Sequence, residues 1–259
     1  MWGFVALLFG VFVWLIFHSQ RPSLRVLMYH KVADTNPDFL TVTTVQLRQH
    51  LHHLQQAGYQ FVSLPDVLCA LSNNTGDRIN PRAVLLTFDD AYKNNLTHAL
   101  PVLDEFAVPA VIFVPTAFVG GTNEWDGGTD AIMTGDELKS LVNRGINLAF
   151  HSHQHLNYKH ASPERAAQDL EANVRVADEM SLPMTPALAY PYGGRPKDPE
   201  QRRALYETLE RLGIRAAFRI GNRLNPLPLR NVYDLNRIDI RGTDSFATFK
   251  RKVKWGKIV

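Results

Sequence analysis

A (β/α) barrel of about seven strands, distorted or incomplete and preceded by an apolar anchor helix, is the architecture the sequence predicts. Short apolar runs alternate with amphipathic segments along residues 21–259, the rhythm of a parallel sheet with helices packed outside it. Roughly six to eight such units fill the chain, enough to close on themselves rather than spread as an open sheet. No internal repeat, low-complexity tract or linker divides residues 21–259, so they read as one domain behind an N-terminal segment.

That segment comes first. Residues 2–17 (WGFVALLFGVFVWLIF) carry no charge and are followed by His18, Gln20, Arg21 and Arg25. The run is shorter than the ~20 residues of a comfortable span, but its apolar residues cover every face and no small-x-small cleavage site follows it. We therefore expect residues 1–20 to be an uncleaved membrane anchor, with Trp2 and Trp14 at interfacial depth, and the membrane to be a partner of the chain. The basic residues lie after the run, which by the positive-inside rule keeps the domain cytoplasmic; two arginines are too few to settle the side, and the orientation stays open.

In chain order, residues 25–29 (RVLMY) read as a buried strand. Residues 44–57 read as a helix with Leu47, Leu51 and Leu54 at helical spacing, stopped by Gly58. Residues 59–64 read as a strand, 73–81 as a polar loop, and 83–88 (AVLLTF) as a strand. Residues 92–106 read as a helix that Pro101 kinks or breaks. Strands follow at 110–114 and 146–150, separated by a helix over 135–144 that ends at Gly145. A long helix over 163–180 has Ser162 to cap it and Pro163 at its first position. A short strand at 188–191, a helix over 199–212 ending at Gly213, strands at 214–220 and 237–240, and a helix over 245–253 complete the pattern.

Composition narrows the function. Hydrophobic residues make up 45% and charged residues 20%, as in a folded globular chain. The net charge is +3 with the basic residues scattered, so no nucleic-acid footprint is expected. Cys69 is the single cysteine, which excludes an intrachain disulfide; in its apolar run it reads as a buried thiol. Oligomeric state is not readable.

In (β/α) barrels chemistry sits where strands end. Asp89 and Asp90 directly follow AVLLTF, and two adjacent carboxylates repel, so the pair needs a reason. They either cap the next helix or divide two roles, one binding a metal and one taking a proton. His151 and His155 follow residues 146–150 in the run HSHQH, and an i,i+4 pair on a helical turn points both rings at one ion. Two histidines and one aspartate leave coordination positions open, a catalytic rather than a structural count. Trp125, in the loop 120–130, could be a sugar-stacking platform or a packed loop anchor, and both readings stand. His50, His52, His53 and His98 fall on helical stretches and read as surface or structural residues.

Thr87–Phe88–Asp89–Asp90, then His151 to His155 about sixty residues on, then Ala189–Tyr190–Pro191–Tyr192–Gly193, together resemble the polysaccharide deacetylase family, carbohydrate esterase family 4. The bacterial exopolysaccharide and poly-N-acetylglucosamine deacetylases are the similar members. The resemblance implies a metal-dependent hydrolase that removes N-acetyl groups from a polysaccharide or lipid-linked glycan, with an N-acetylated glycan as substrate. It makes Asp89 the general base, Asp90, His151 and His155 the metal ligands, and Tyr192 a substrate-groove residue whose amide helps hold the oxyanion. Zinc is the expected ion, with cobalt, nickel or iron also suited to the nitrogen and oxygen donors. A bacterial inner membrane is the expected location.

Two departures from the family pattern matter. Its third motif usually opens with an arginine that orients the base, and here Ala189 stands there. Arg237, in a late strand, is the expected replacement, with an ordinary surface arginine as the alternative. The family's late histidine also has no counterpart, since His160 is the last histidine. His30, ending the first strand, is the expected proton donor. An O-acetyl esterase, a deformylase or a catalytically impaired sugar-binding barrel would use the same residues.

Overall fold

The computed structural model describes residues 22–72, 79–229 and 231–256. Its elements in chain order are β1 (Ser23–Tyr29), β2 (Lys31–Ala33), β3 (Thr41–Thr43), α1 (Thr44–Gln56), β4 (Gln60–Phe61), α2 (Leu64–Ser72), β5 (Ala83–Phe88), α3 (Leu100–Glu105) and β6 (Ala110–Val114). They continue with α4 (Gly135–Val142), β7 (Ile146–Phe150), α5 (Pro163–Glu179), β8 (Met184–Ala189), α6 (Pro199–Arg211), β9 (Ala216–Ile220), β10 (Asn225–Pro226), β11 (Leu235–Asp239) and α7 (Phe246–Trp255).

Strands β1, β5, β6, β7, β8, β9 and β11 pair in parallel in that order, and β11 returns to β1 to close a seven-stranded barrel. β4 lies parallel to the start of β5, and β10 lies antiparallel to the start of β1. Alternation along the strands separates two apolar layers. Val26, Leu85, Val111, Phe113, Ala149, Ala187, Ala189, Ala216 and Phe218 form one cluster inside the barrel. Leu27, Leu86, Ile112, Leu148, Leu188 and Ile238 join the other, against the helices. Strands apolar on both faces are what a parallel sheet with covered faces requires, and the inward alanines suit a narrow barrel.

The helices begin and end for local reasons. Thr43 and Gln46 form a reciprocal capping box on α1, and Ser162 accepts from Arg165 N–H at the start of α5. Gly145, past the end of α4, takes a φ of 78°, which glycine adopts without steric penalty. His50 on α1 serves the core. It stacks 3.7 Å from the Phe249 ring and meets Tyr29 Oη at 3.2 Å, and burial pulls its pKa down to about 3, so it stays neutral.

Several expectations are corrected. Residues 59–64 give only the two-residue β4, because the chain turns into α2 at Leu64. That helix buries Leu64, Val67 and Leu68 in the inner cluster, where Arg215, just before β9, donates to the Leu68 carbonyl at 3.1 Å. Cys69 lies on the other face of α2 and is exposed, not buried. The helix expected over 92–106 is split. A π-helical stretch, Asn95–Ala99, widens the turn before Pro101, with Leu100 N–H reaching back to Asn95 C=O. The parallel pair β2–β3 and strand β10 were not foreseen.

The proposed anchor, residues 1–20, lies outside the described residues, as does most of the loop expected over 73–81. Among the described residues no helix is long and apolar enough to cross a membrane. Arg25, which the charge reading placed beside the membrane, is 5% exposed and belongs to the fold. Its guanidinium donates to the carbonyls of Val253, Ser23 and Pro81 at 3.1, 2.9 and 3.2 Å, tying α7 to the first strand. Arg25→Met keeps the packing but removes the guanidinium donor from all three carbonyls, of which Pro81 still accepts from the Ser23 N–H at 3.3 Å. It should lower the free energy of unfolding by about 1–3 kcal/mol, read from the urea midpoint.

Candidate active site

The C-terminal ends of the barrel strands bring the candidate residues together. Asp89 follows β5, with its N–H on the Tyr29 carbonyl at 2.9 Å, and His151 follows β7, with its N–H on the Val114 carbonyl at 3.1 Å. The two aspartates are not helix caps: Asp89 faces an arginine and Asp90 faces two imidazoles. Left-handed backbone at Asp90 (φ 73°) and Ala91 (φ 55°) turns the chain so that both carboxylates face the barrel mouth. Nor do residues 151–155 form the expected helical turn. They are a bent loop with Ser152 at φ 68° and His155 at φ 51°. Each such non-glycine residue costs about 1–3 kcal/mol and persists only where its surroundings hold it. Asp169, buried on α5, supplies that hold. Its carboxylate accepts from the N–H of His153 and of Gln154 at 3.0 Å each and from Tyr158 Oη at 2.7 Å. The sequence reading missed Asp169, since nothing in a helical aspartate signals which loop it grips.

Asp90 Oδ1 lies 3.2 Å from Nε2 of both His151 and His155, and all three residues are buried. His151 Nδ1 is 2.8 Å from the Ala189 carbonyl, so Nδ1 carries the hydrogen and the Nε2 lone pair faces Asp90. Asp90 Oδ1 has no hydrogen-bond partner. Two imidazole nitrogens and a carboxylate oxygen converging at this distance need a proton or a metal cation among them, and the buried nitrogen and oxygen donor set fits a divalent ion. Burial opposes the Asp90 charge, but the two imidazoles hold its pKa well below the usual carboxylate range. Burial likewise lowers His151, yet Asp89 and then Asp90 outweigh it and leave its pKa raised, so protons compete with a metal at Nε2 in acid.

Arg237 on β11 is fully buried and pairs with both oxygens of Asp89, Nη1 to Oδ1 at 2.5 Å and Nη2 to Oδ2 at 2.7 Å. Burial would raise the Asp89 pKa; Arg237 first, then His151, reverse that and keep it lowered. His30 follows β1, with Nε2 4.0 Å from Asp89 Oδ2 and its carbonyl held by Asn95 Nδ2 at 2.8 Å from the π-helical stretch. Together with Asp89, Asp90, His151 and His155, His30 and Tyr192 line one cleft of about 240 Å³. Tyr192 stands at φ 57°, 51% exposed, its ring 4.7 Å from that of His155 and its Oη on Asp126 Oδ1 at 3.0 Å. Trp125 does not line the cleft. It is half-buried behind His155, stacked on that ring at 4.7 Å and edge-on to Phe118 at 4.7 Å. Asp239, given no role in the sequence reading, does line it, with Oδ2 on Arg241 Nε at 2.7 Å.

The family model for polysaccharide deacetylases matches residues 76–217, more than half of the chain. A Bacillus subtilis relative named for the same family is 26% identical over 176 residues, 68% of this chain and 59% of the relative. The poly-beta-1,6-N-acetyl-D-glucosamine N-deacetylase of Escherichia coli K12 is 38% identical over 85 residues, 32% of this chain and 12% of that enzyme. The chain thus spans less than two thirds of the length of these relatives. The structure of the Streptococcus pyogenes deacetylase PplD, in complex with acetate, superposes with a TM-score of 0.74 at 23% identity, covering 90% of this chain and 99% of that one. At that identity the likeness concerns the fold.

Asp169→Ala removes the acceptor for three donors that shape the histidine loop. Zinc affinity, measured by competition with a chromophoric chelator, should fall about 10–100-fold. An unchanged affinity would mean that the loop keeps its shape without this carboxylate.

Proposed function

The chain belongs to the polysaccharide deacetylase family, and from that premise we propose that it hydrolyses the N-acetyl groups of an N-acetylated polysaccharide or lipid-linked glycan. The observation that carries the reading is the meeting of Asp90 Oδ1 with both Nε2 atoms at 3.2 Å, beside a carboxylate already paired with a buried arginine. Asp90, His151 and His155 would hold the divalent ion, zinc suiting the donors best, with cobalt, nickel or iron as substitutes. When bound, the ion supplies Lewis-acid polarisation of the acetyl carbonyl and a water of lowered pKa.

The chain's own groups do the rest. Asp89 takes a proton from the attacking water, and Arg237 fixes the plane of that carboxylate and keeps it ionised. The water oxygen bonds to the acetyl carbon, and the oxyanion is held in part by the Tyr192 backbone N–H at its left-handed turn. The carbon–nitrogen bond then breaks, His30 protonates the departing amine, and acetate leaves. Trp125 supports the site from behind His155. The E. coli relative makes a β-1,6-linked N-acetylglucosamine polymer the first substrate to try. Residues 1–20 would tether the enzyme to a bacterial inner membrane, which suits synthesis of an exported glycan better than digestion of a nutrient.

Amine release from N-acetylglucosamine oligomers should vanish on chelation and return with zinc. Asp89→Asn should cut kcat by about 10²–10⁴-fold while zinc stoichiometry holds. Release that survives full metal removal would end the proposal.

Because Arg237 favours the ionised form of Asp89, it extends activity toward acid. In Arg237→Gln the burial that it opposes prevails, the Asp89 pKa rises, and the acid limb of kcat/KM should move to higher pH. Full activity of Arg237→Lys would contradict the assigned role, because an ammonium cannot make the bidentate pair.

A further inference from the structure

Large apolar side chains exposed among the described residues are Phe39 (52%), Val45 (68%) and Tyr192 (51%), and both Phe39 and Tyr192 line the cleft. Tyr192 is accounted for by the site. Phe39 is not. It lies between β2 and β3, which pair with each other and with no barrel strand.

The segment carrying Phe39 is held firmly. Asp38 Oδ1 accepts from the N–H of Leu40 at 2.7 Å and of Thr41 at 2.6 Å, and Lys31 N–H donates to the Leu40 carbonyl at 3.0 Å. Against burial, those backbone hydrogen bonds keep the Asp38 pKa lowered, so the turn stays charged and closed. The backbone of the segment passes so close to Gly242 that a Cβ there would collide with the Thr41 carbonyl.

The ring itself is braced from one side. The Arg241 guanidinium carbon lies 4.0 Å from the Phe39 centroid, and Asp239 fixes Arg241 through Nε at 2.7 Å. Arg241 N–H bonds to Asp244 Oδ2 at 3.0 Å, and Lys252 Nζ meets the same oxygen at 2.5 Å. A half-exposed ring on a rigid mount gains little from folding, and a flat apolar surface beside a polar cleft is what a sugar recognises. A pyranose presents an apolar C–H face edged by hydroxyls. A cleft of about 240 Å³ takes one sugar residue, so the next residue of a polymer lies at its rim, where the exposed ring stands.

Resting on the deacetylase reading, we propose that Phe39, braced by Arg241, is a specificity-determining residue that stacks on the sugar next to the one being deacetylated. The site thereby reads a chain rather than a single residue.

The test uses the full zinc-loaded chain with N-acetylglucosamine and its β-1,6-linked tetramer. The ratio of kcat/KM for tetramer over monomer should fall roughly tenfold in Phe39→Ala, mainly through KM, and return in Phe39→Trp. Val45→Ala, whose side chain lies outside the cleft, should leave the ratio alone. Calorimetric titration with the tetramer, which needs no turnover, should show a weakening of the same order in Phe39→Ala. An unchanged ratio and affinity in Phe39→Ala would overturn the subsite and leave the deacetylase reading intact. A wild type that releases no amine would instead count against the deacetylase reading. Tetramer binding that still depends on Phe39 would then support the subsite, and tetramer binding absent or indifferent to Phe39 would overturn it.

Discussion

A guanidinium with no exposure to water sits inside the end of the barrel. An uncompensated charge in that place would cost several kcal/mol, and Asp89 answers it with both oxygens. Much of the site follows from this pair. It joins β11 to the end of β5 across the mouth, and it settles the ionisation of Asp89 against burial. It also lets a second carboxylate stand next in sequence, because the first is already neutralised by its partner. Asp90 is then left to face His151 and His155, a buried donor set that fits a divalent ion.

The barrel supplies the rim, and strained loops supply the aim. His30, Asp89, His151, Tyr192 and Arg237 come from five different strands or the turns just after them. Parallel strands all end on one side, so residues distant in the chain share one surface. Their final orientation comes from left-handed residues at Asp90, Ala91, Ser152, His155 and Tyr192. Such backbone needs outside support, and the Asp169 carboxylate on α5 gives it to the histidine loop through three hydrogen bonds. The geometry of the candidate metal site therefore depends on a helix that does not line the cleft.

Outside the barrel, the β2–β3 pair carries its own small structure to the same cleft. Arg241 links the two regions. It binds Asp239 at the end of β11 and covers one side of Phe39, so the strand that pairs Arg237 with Asp89 also braces the ring at the rim. Chemistry and polymer recognition would then share one mechanical support.

Local patterns were enough to read the alternation of strands and helices, the Ser162 cap, the Gly145 stop and the strand-end motifs, because period, capping and turn chemistry are set by neighbours in the chain. Asp89, Asp90, His151 and His155 were legible as site candidates for the same reason, because polar residues at the ends of apolar runs stand out. Tyr192 came instead from the family resemblance, and Arg237 and His30 from the places where the chain departs from the family pattern. Folding in three dimensions decided the rest. α2 hid inside an apolar run too short for its period to show, and only its packing decided that Val67 and Leu68 face inward while Cys69 faces water. The pairing of Arg237 with Asp89 spans 148 positions and exists only because the seventh strand closes on the first. Positive φ at non-glycine residues, the grip of Asp169 and the perch of Phe39 likewise depend on contacts from distant segments, which no neighbouring residue encodes.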